Sequence, residues 1–203
     1  GIYRFTITAI DTDGNKVTVH KYFKVQSLYG IMGNSNTSVK KMMAYFNANQ
    51  SYPEFYRNTD APTLEQFCQI YMEECSIENV RVEVAFSQAM KETGFLKFGG
   101  KVKIEQYNFA GIGAVDSGKT APASFSSVRE GIRAQIQHLK AYASTEPLKN
   151  SCVDPRFSLV KRGTAPYVEW LGIQENPNHV GWATAKNYGY SIKNDYMRKL
   201  ISY

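Results

Sequence analysis

The sequence has no apolar run approaching the roughly 20 residues that a membrane-spanning helix needs, so a bilayer is not expected among its partners. Its histidines number only three, His20, His138 and His179, and they are dispersed, with no HExxH pattern. A zinc site therefore has no case, and neither a metal nor another cofactor is expected. The three cysteines, Cys68, Cys75 and Cys152, are an odd set without metal-ligand spacing. Cys68 and Cys75 fall on one helix face two turns apart, about 10 Å by helix geometry, which is too far for a disulfide. Free and mostly buried thiols are expected. There is no internal repeat and no low-complexity tract. No leader segment opens the chain: Gly1 runs straight into a strand-like pattern, which reads as a piece cut from a longer protein. Tryptophan is scarce too, two residues against 14 Tyr and 11 Phe.

What is present fits one compact domain with a small appendage, in 203 residues. Apolar residues make up 43%, enough for a real core. The net charge of +6 favours an anionic partner, such as an acidic polymer. Yet the cations are scattered, the longest run being Lys40-Lys41, and a solvated surface is the plainer reading. Nucleic acid is not an expected partner, and a monomer is expected. The many tyrosines can fill a core, but a Tyr ring also offers a flat apolar face and a polar tip to a sugar.

Residues 2–25 alternate as a β-hairpin does. Tyr3, Phe5, Ile7 and Ala9 interleave with Arg4, Thr6 and Thr8, and Asp13-Gly14 marks the turn. Such a hairpin is marginal alone in water and is expected to pack on something. From Ser27 the texture becomes helical. Val39, Met42, Met43 and Phe46 predict a helix over 38–47, and Thr63-Leu64-Glu65-Gln66 has the form of a capping box opening another that runs to about Cys75. A third is predicted from about Glu78 to Thr93, with Val82, Phe86, Ala89 and Met90 as its stripe and Gly94 as its C-cap. Residues 95–125 read as a loop with room for a short hairpin. Ser127 to Glu130 is a second capping box, leading a helix striped by Ile132, Ile136, Leu139 and Ala143. The stretch 145–181 is irregular, and a last helix covers about 191–201.

Glu92 stands out as a carboxylate at the C-terminal end of an apolar helix. The partial negative charge of a helix end and desolvation by apolar neighbours both favour its protonated form, as a glycosidase acid requires. An exposed Glu in a last helical turn is the bland alternative. Gly113 to Thr120 satisfies GxxxxGK[ST], a phosphate-binding pattern, but its surroundings deny it. Glu105 to Asn108 is no buried strand, and Pro122 delays the next helix to about Ser127, so no helix N-terminus faces a phosphate.

The segment VRVEVAFSQAMKETGFLKFGGKVKIEQYNFAGIGA, Val80 to Ala114, resembles the core of glycoside hydrolase family 73, the endo-β-N-acetylglucosaminidases of bacterial autolysins. Asp154 to Phe157, Arg162 to Pro166 and WATAKNYG at 182–189 also fit that family, in order, over about residues 30–201. The resemblance implies a mainly α, lysozyme-like α+β glucosaminidase domain over 27–203 with a short β-hairpin lobe. Residues 1–26 lie outside it and resemble the last two strands of an immunoglobulin-like repeat. It further implies a secreted, wall-associated enzyme that cuts the β-1,4 bond after N-acetylglucosamine in peptidoglycan glycan strands.

Carried over by position, Glu92 matches the general acid and Tyr188 the cleft tyrosine beside it. Asn108 and Phe109 match the loop under the substrate, and Tyr107 and Trp182, in the same two motifs, are expected to help bind it. Many members carry a second carboxylate on the hairpin after the NFAGIGA segment. Here Ala114 to Phe125 contains no Glu, and Asp116 is the only acid available for that role. Glu130 is explained by its cap and Glu105 by solvent. If no second acid reaches the site, the substrate's own acetamido group can serve as nucleophile. The rival readings are a lytic transglycosylase or muramidase on a related fold and a wall-binding module that has lost turnover.

Overall fold

The computed structural model describes residues 2–24, 27–113 and 121–203, and these are mostly helical with one two-stranded antiparallel hairpin. The hairpin joins β1 (Ile2–Ile10) to β2 (Lys16–Lys24), in a register that pairs Tyr3 with Phe23 and Ile7 with Val19. The Asp11 carboxylate closes the turn by accepting from the backbone N–H groups of Asp13 and Asn15. Alternation puts Tyr3, Phe5, Ile7, Val17, Val19 and Phe23 on one face, yet all six are exposed. The expected packing partner is therefore not found among the described residues, because the described chain holds no second sheet to offer one.

The body is built on α1 (Val39–Asn47), α2 (Leu64–Glu78), α3 (Val82–Thr93) and α4 (Val128–Ala143). The chain ends in one continuous helical run: α5 (Tyr188–Ser191), a π-helical stretch (Ile192–Met197) and α6 (Arg198–Ser202). Three of the starts are sealed as their sequences require. Ser38, Thr63 and Ser127 each accept, through the side-chain hydroxyl, the backbone N–H three residues on. The second helix continues to Glu78, past the expected end at Cys75, and Asn79 stops it in the left-handed conformation. The third consequently starts at Val82 rather than near Glu78.

The stripe assigned to α3 understates its burial. From Val82 to Met90 every residue is buried, including Glu83, Ser87 and Gln88, so α3 is the central helix rather than a surface one. Only at Lys91 and Glu92 does it emerge. Phe67, Tyr71 and Phe86 pack edge to face beside it, with ring centroids 5.3 to 6.5 Å apart. Ion pairs tie α2 to α4: Glu74 binds Arg129 and Arg133 at 2.9 and 2.8 Å, and Glu78 binds Lys140 at 2.7 Å. Cys68 and Cys75 are buried free thiols and Cys152 is an exposed one. The hairpin lobe expected after residue 113 falls mostly on residues 114–120, outside the described residues; from 121 to 125 the chain forms no strand.

Candidate active site

The last turn of α3 is finished by Thr93. Its hydroxyl donates to the Ala89 carbonyl (2.7 Å) and accepts from the Leu96 backbone N–H (2.9 Å). Gly94, Phe95 and Leu96 then follow at φ 59, 59 and 63°, a left-handed reversal that glycine enters freely and the other two do not. The chain is thus turned away directly after Glu92, and the carboxylate is left facing a cleft of about 710 Å³.

The loop after α3 forms the opposite wall. Asn108 is buried and pins this loop at four points: Nδ2 donates to the carbonyls of Ile112 and Ala123, while Oδ1 accepts from the N–H groups of Ala110 and Ile112. That pinning presents Ala110 and Gly111 to the cleft. Gly111 has φ +67°, and a Cβ there would sit 3.8 Å from Glu92 Oε2, so its absence leaves room beside the carboxyl.

The remaining wall is the segment Trp182 to Tyr188. Trp182 donates its backbone N–H to the Leu171 carbonyl. Its ring meets the His138 ring edge to face at 4.6 Å, and His138 in turn holds the buried Asp154 carboxylate through Nδ1 at 2.7 Å. Asn187 receives support at its backbone N–H from Glu175 Oε1. Tyr188 is buried, and its hydroxyl donates to Glu92 Oε1 at 2.5 Å while accepting from Gln88 Nε2 at 3.1 Å.

The Glu92 carboxyl is open to water from the cleft but closely surrounded on its other sides. That crowding raises its pKa above the ordinary 4.5; the Tyr188 hydrogen bond and the Lys91 ammonium pull the other way. Burial and the neighbouring Glu92 charge hold the Tyr188 phenol well above its ordinary value, so it keeps its hydrogen. Lys91 Nζ is 3.2 Å from Ser191 Oγ and lies over the rings of Tyr188 and Tyr196. Among the described residues lining the cleft, Glu92 is the single carboxylate, and Lys91 and Lys186 are cations.

Glu92, Trp182 and Tyr188 are therefore brought together. Phe109 is not with them: it is fully buried against Tyr56 and Phe67, so the assignment to substrate contact is corrected to core packing. Asn108 lies in the loop that walls the cleft, with its side chain taken up in holding that loop. Tyr107 turns its ring toward Phe55 and Tyr56 and is not among the cleft-lining residues. Asp116 lies outside the described residues. Glu130 does cap its helix, accepting from the Ser126 N–H and hydroxyl. The phosphate-loop pattern lacks its scaffold: Ile104–Gln106 is a 3-10 turn rather than a strand, and α4 starts at Val128, well past Lys119. Gln88, Gly111 and Lys91 were missed by sequence reasoning. Lys91 adjoins Glu92 in the chain and could have been flagged; Gln88 gave no signal.

Residues 68–203 match the glucosaminidase family model, described as mannosyl-glycoprotein endo-beta-N-acetylglucosaminidase. A protein of Borreliella burgdorferi described as uncharacterized is 40% identical over 164 residues, covering 80% of this chain and 73% of its own. No solved structure matches the chain.

Proposed function

Because the chain belongs to the glucosaminidase family of glycoside hydrolases, we propose that it cleaves the β-1,4 bond after N-acetylglucosamine in peptidoglycan, with Glu92 as general acid. The observation that carries this reading is the placement of Glu92, open to the cleft, crowded enough to favour its proton, and gripped on one oxygen by Tyr188. In the reaction the protonated carboxyl donates to the leaving glycosidic oxygen as the bond to the anomeric carbon breaks. Trp182 supplies an apolar surface for a sugar face, and Lys91 and Lys186 give the cleft a positive character suited to the carboxylates of a peptide-bearing glycan. A secreted, wall-associated location follows from that substrate.

The second group in the reaction is proposed to be Asp116, which would activate water on the far side of the sugar. Asp116→Asn should then lower turnover strongly while wall binding persists. Full activity of that variant would assign the step to the substrate's acetamido group instead.

Glu92→Gln keeps the side-chain shape but has no proton to give, so hydrolysis should fall at least about a hundredfold. Mass spectrometry of digested peptidoglycan should show N-acetylglucosamine at the new reducing ends. Anhydro-muramic ends would identify a transglycosylase, and no release at all a binding module. Turnover near that of the parent in the Gln variant would remove Glu92 from the mechanism.

A further inference from the structure

A chain of four hydrogen bonds runs from the core to Glu92, and its polarity is fixed at a single point. Gln135, on α4, reaches α3 with one end of its amide, which lies 2.8 Å from the Ala85 carbonyl and 3.0 Å from Gln88 Oε1. A backbone carbonyl only accepts, so that end of Gln135 is the NH2 group. Its other end is then the oxygen, and it accepts from the Tyr71 hydroxyl at 2.8 Å. The Gln88 atom facing Gln135 must accept and is oxygen, which leaves Gln88 NH2 pointing at Tyr188 Oη, 3.1 Å away. Tyr71, Gln135 and Gln88 are fully buried, so no water competes for these groups.

The consequence falls on Tyr188. With a pure donor on one side, its own hydrogen has Glu92 Oε1 as its acceptor among the described residues. Were the Gln88 amide reversed, Tyr188 would donate to Gln88 and could accept from Glu92, drawing the carboxyl proton inward onto Oε1. We propose that Gln88 and Gln135 are positioning residues that lock Tyr188 as a donor to Glu92, so that the transferable proton is carried on Oε2, the oxygen beside Gly111. Neither glutamine touches substrate; both act through the tyrosine.

Titration of Glu92 reports this arrangement. The titratable and charged groups facing it are Lys91 from its own helix and Tyr188 and Tyr196 from the terminal helical run, with Lys186 on the cleft wall and Tyr142 from α4 acting on Tyr188. Loss of donation from Tyr188 favours the protonated carboxyl, so the alkaline limb of the kcat/KM profile should move to higher pH.

The inference rests on Glu92 being the acid, and the experiment keeps the two apart. Parent, Glu92→Gln, Gln88→Glu, Gln88→Met and Gln135→Met are compared on soluble peptidoglycan fragments from pH 4 to 9, with thermal unfolding of each. Ionised, Gln88→Glu places an acceptor against Tyr188, whereas its protonated carboxyl can donate to Tyr188 as the amide does. The decisive variant is therefore Gln88→Met, which removes the donor outright. It should lower kcat about tenfold or more with KM unchanged, and move the alkaline limb up by about one pH unit. Gln135→Met, two hydrogen bonds from Glu92, should move kcat and the limb in the same direction by less. Ionised Gln88→Glu should show the same signs; if it does not fold, Gln88→Met decides. A folded Gln88→Met variant whose pH profile superimposes on that of the parent would overturn the positioning role. An active Glu92→Gln variant would instead overturn the acid assignment on which it rests.

Discussion

Thr93 shows how much a single hydroxyl decides at the residue scale. It closes the end of α3 by donating backward to Ala89 and accepting forward from Leu96, and it does so while buried. Valine has the same shape and can do neither, leaving the buried Leu96 N–H without this acceptor. Thr93→Val should lower stability by about 1–3 kcal/mol and reduce activity, because the reversal that aims Glu92 loosens. Thr93→Ser should retain most of both, as thermal unfolding and turnover assays would show. Glu92 itself carries a stability signature. Its folded pKa is raised, so the folded state holds this proton more tightly than the unfolded chain does. Stability from this group is greatest below the ordinary carboxylate value of 4.5 and declines as pH rises through the raised one. The melting temperature of Glu92→Gln relative to the parent should therefore climb across that window; a difference that falls with pH would contradict the raised value. Glu92 and Tyr188 were legible in the sequence through their motifs. Phe109 was misread because a motif shows that a ring is needed, not which way it faces.

At the scale of elements, capping residues announced the starts of α1, α2 and α4, since a cap is a local contact between residues three apart. The burial of α3 on all sides was not legible, because Ala85, Ser87 and Gln88 are small or polar and their concealment depends on α2, α4 and the terminal helices. Nor was the π-helical stretch Ile192–Met197, a wide turn that nothing in its composition marks. The terminal run approaches Val168–Leu171, a 3-10 helix, so closely that only glycine fits at 189: a Cβ there would lie 1.9 Å from the Val168 carbonyl oxygen. Since that oxygen belongs to backbone, the helix must move to admit a methyl group. Gly189→Ala should cost at least about 1–3 kcal/mol. It should also depress turnover more than substrate binding, because Tyr188 precedes it and would be carried away from Glu92. Unchanged melting and unchanged kcat would show that the run can shift freely.

For the whole molecule, the family match and the folding unit have different boundaries. The match begins at residue 68, within α2. Yet Ile31, Met42, Phe46, Tyr56, Leu64 and Phe67 are all buried in the same core as Phe86 and Phe109. The segment from Ser27 is fastened as well: Lys193 donates to the Ser27 carbonyl and is paired with Glu169, which accepts the Tyr29 N–H. Glu83 accepts from the Tyr29 hydroxyl at 2.7 Å and from the Asn36 N–H at 3.0 Å. Among the described residues the hairpin makes no comparable tie to the body, and its strands are exposed on both faces. The change from period-two to helical spacing places the expected boundary at residue 27. Two shortened chains test it. One starting at Ser27 should melt within a few degrees of the parent and digest peptidoglycan at a similar rate. One starting at Cys68 should fail to fold, because it removes about half a dozen large apolar side chains at roughly 2–5 kcal/mol each, more than a domain's net stability of about 5–15 kcal/mol. A folded, active chain from Cys68 would show that the catalytic unit is smaller than its core implies. Collapse of the chain from Ser27 would show that the hairpin belongs to the glucosaminidase fold rather than to a neighbouring module.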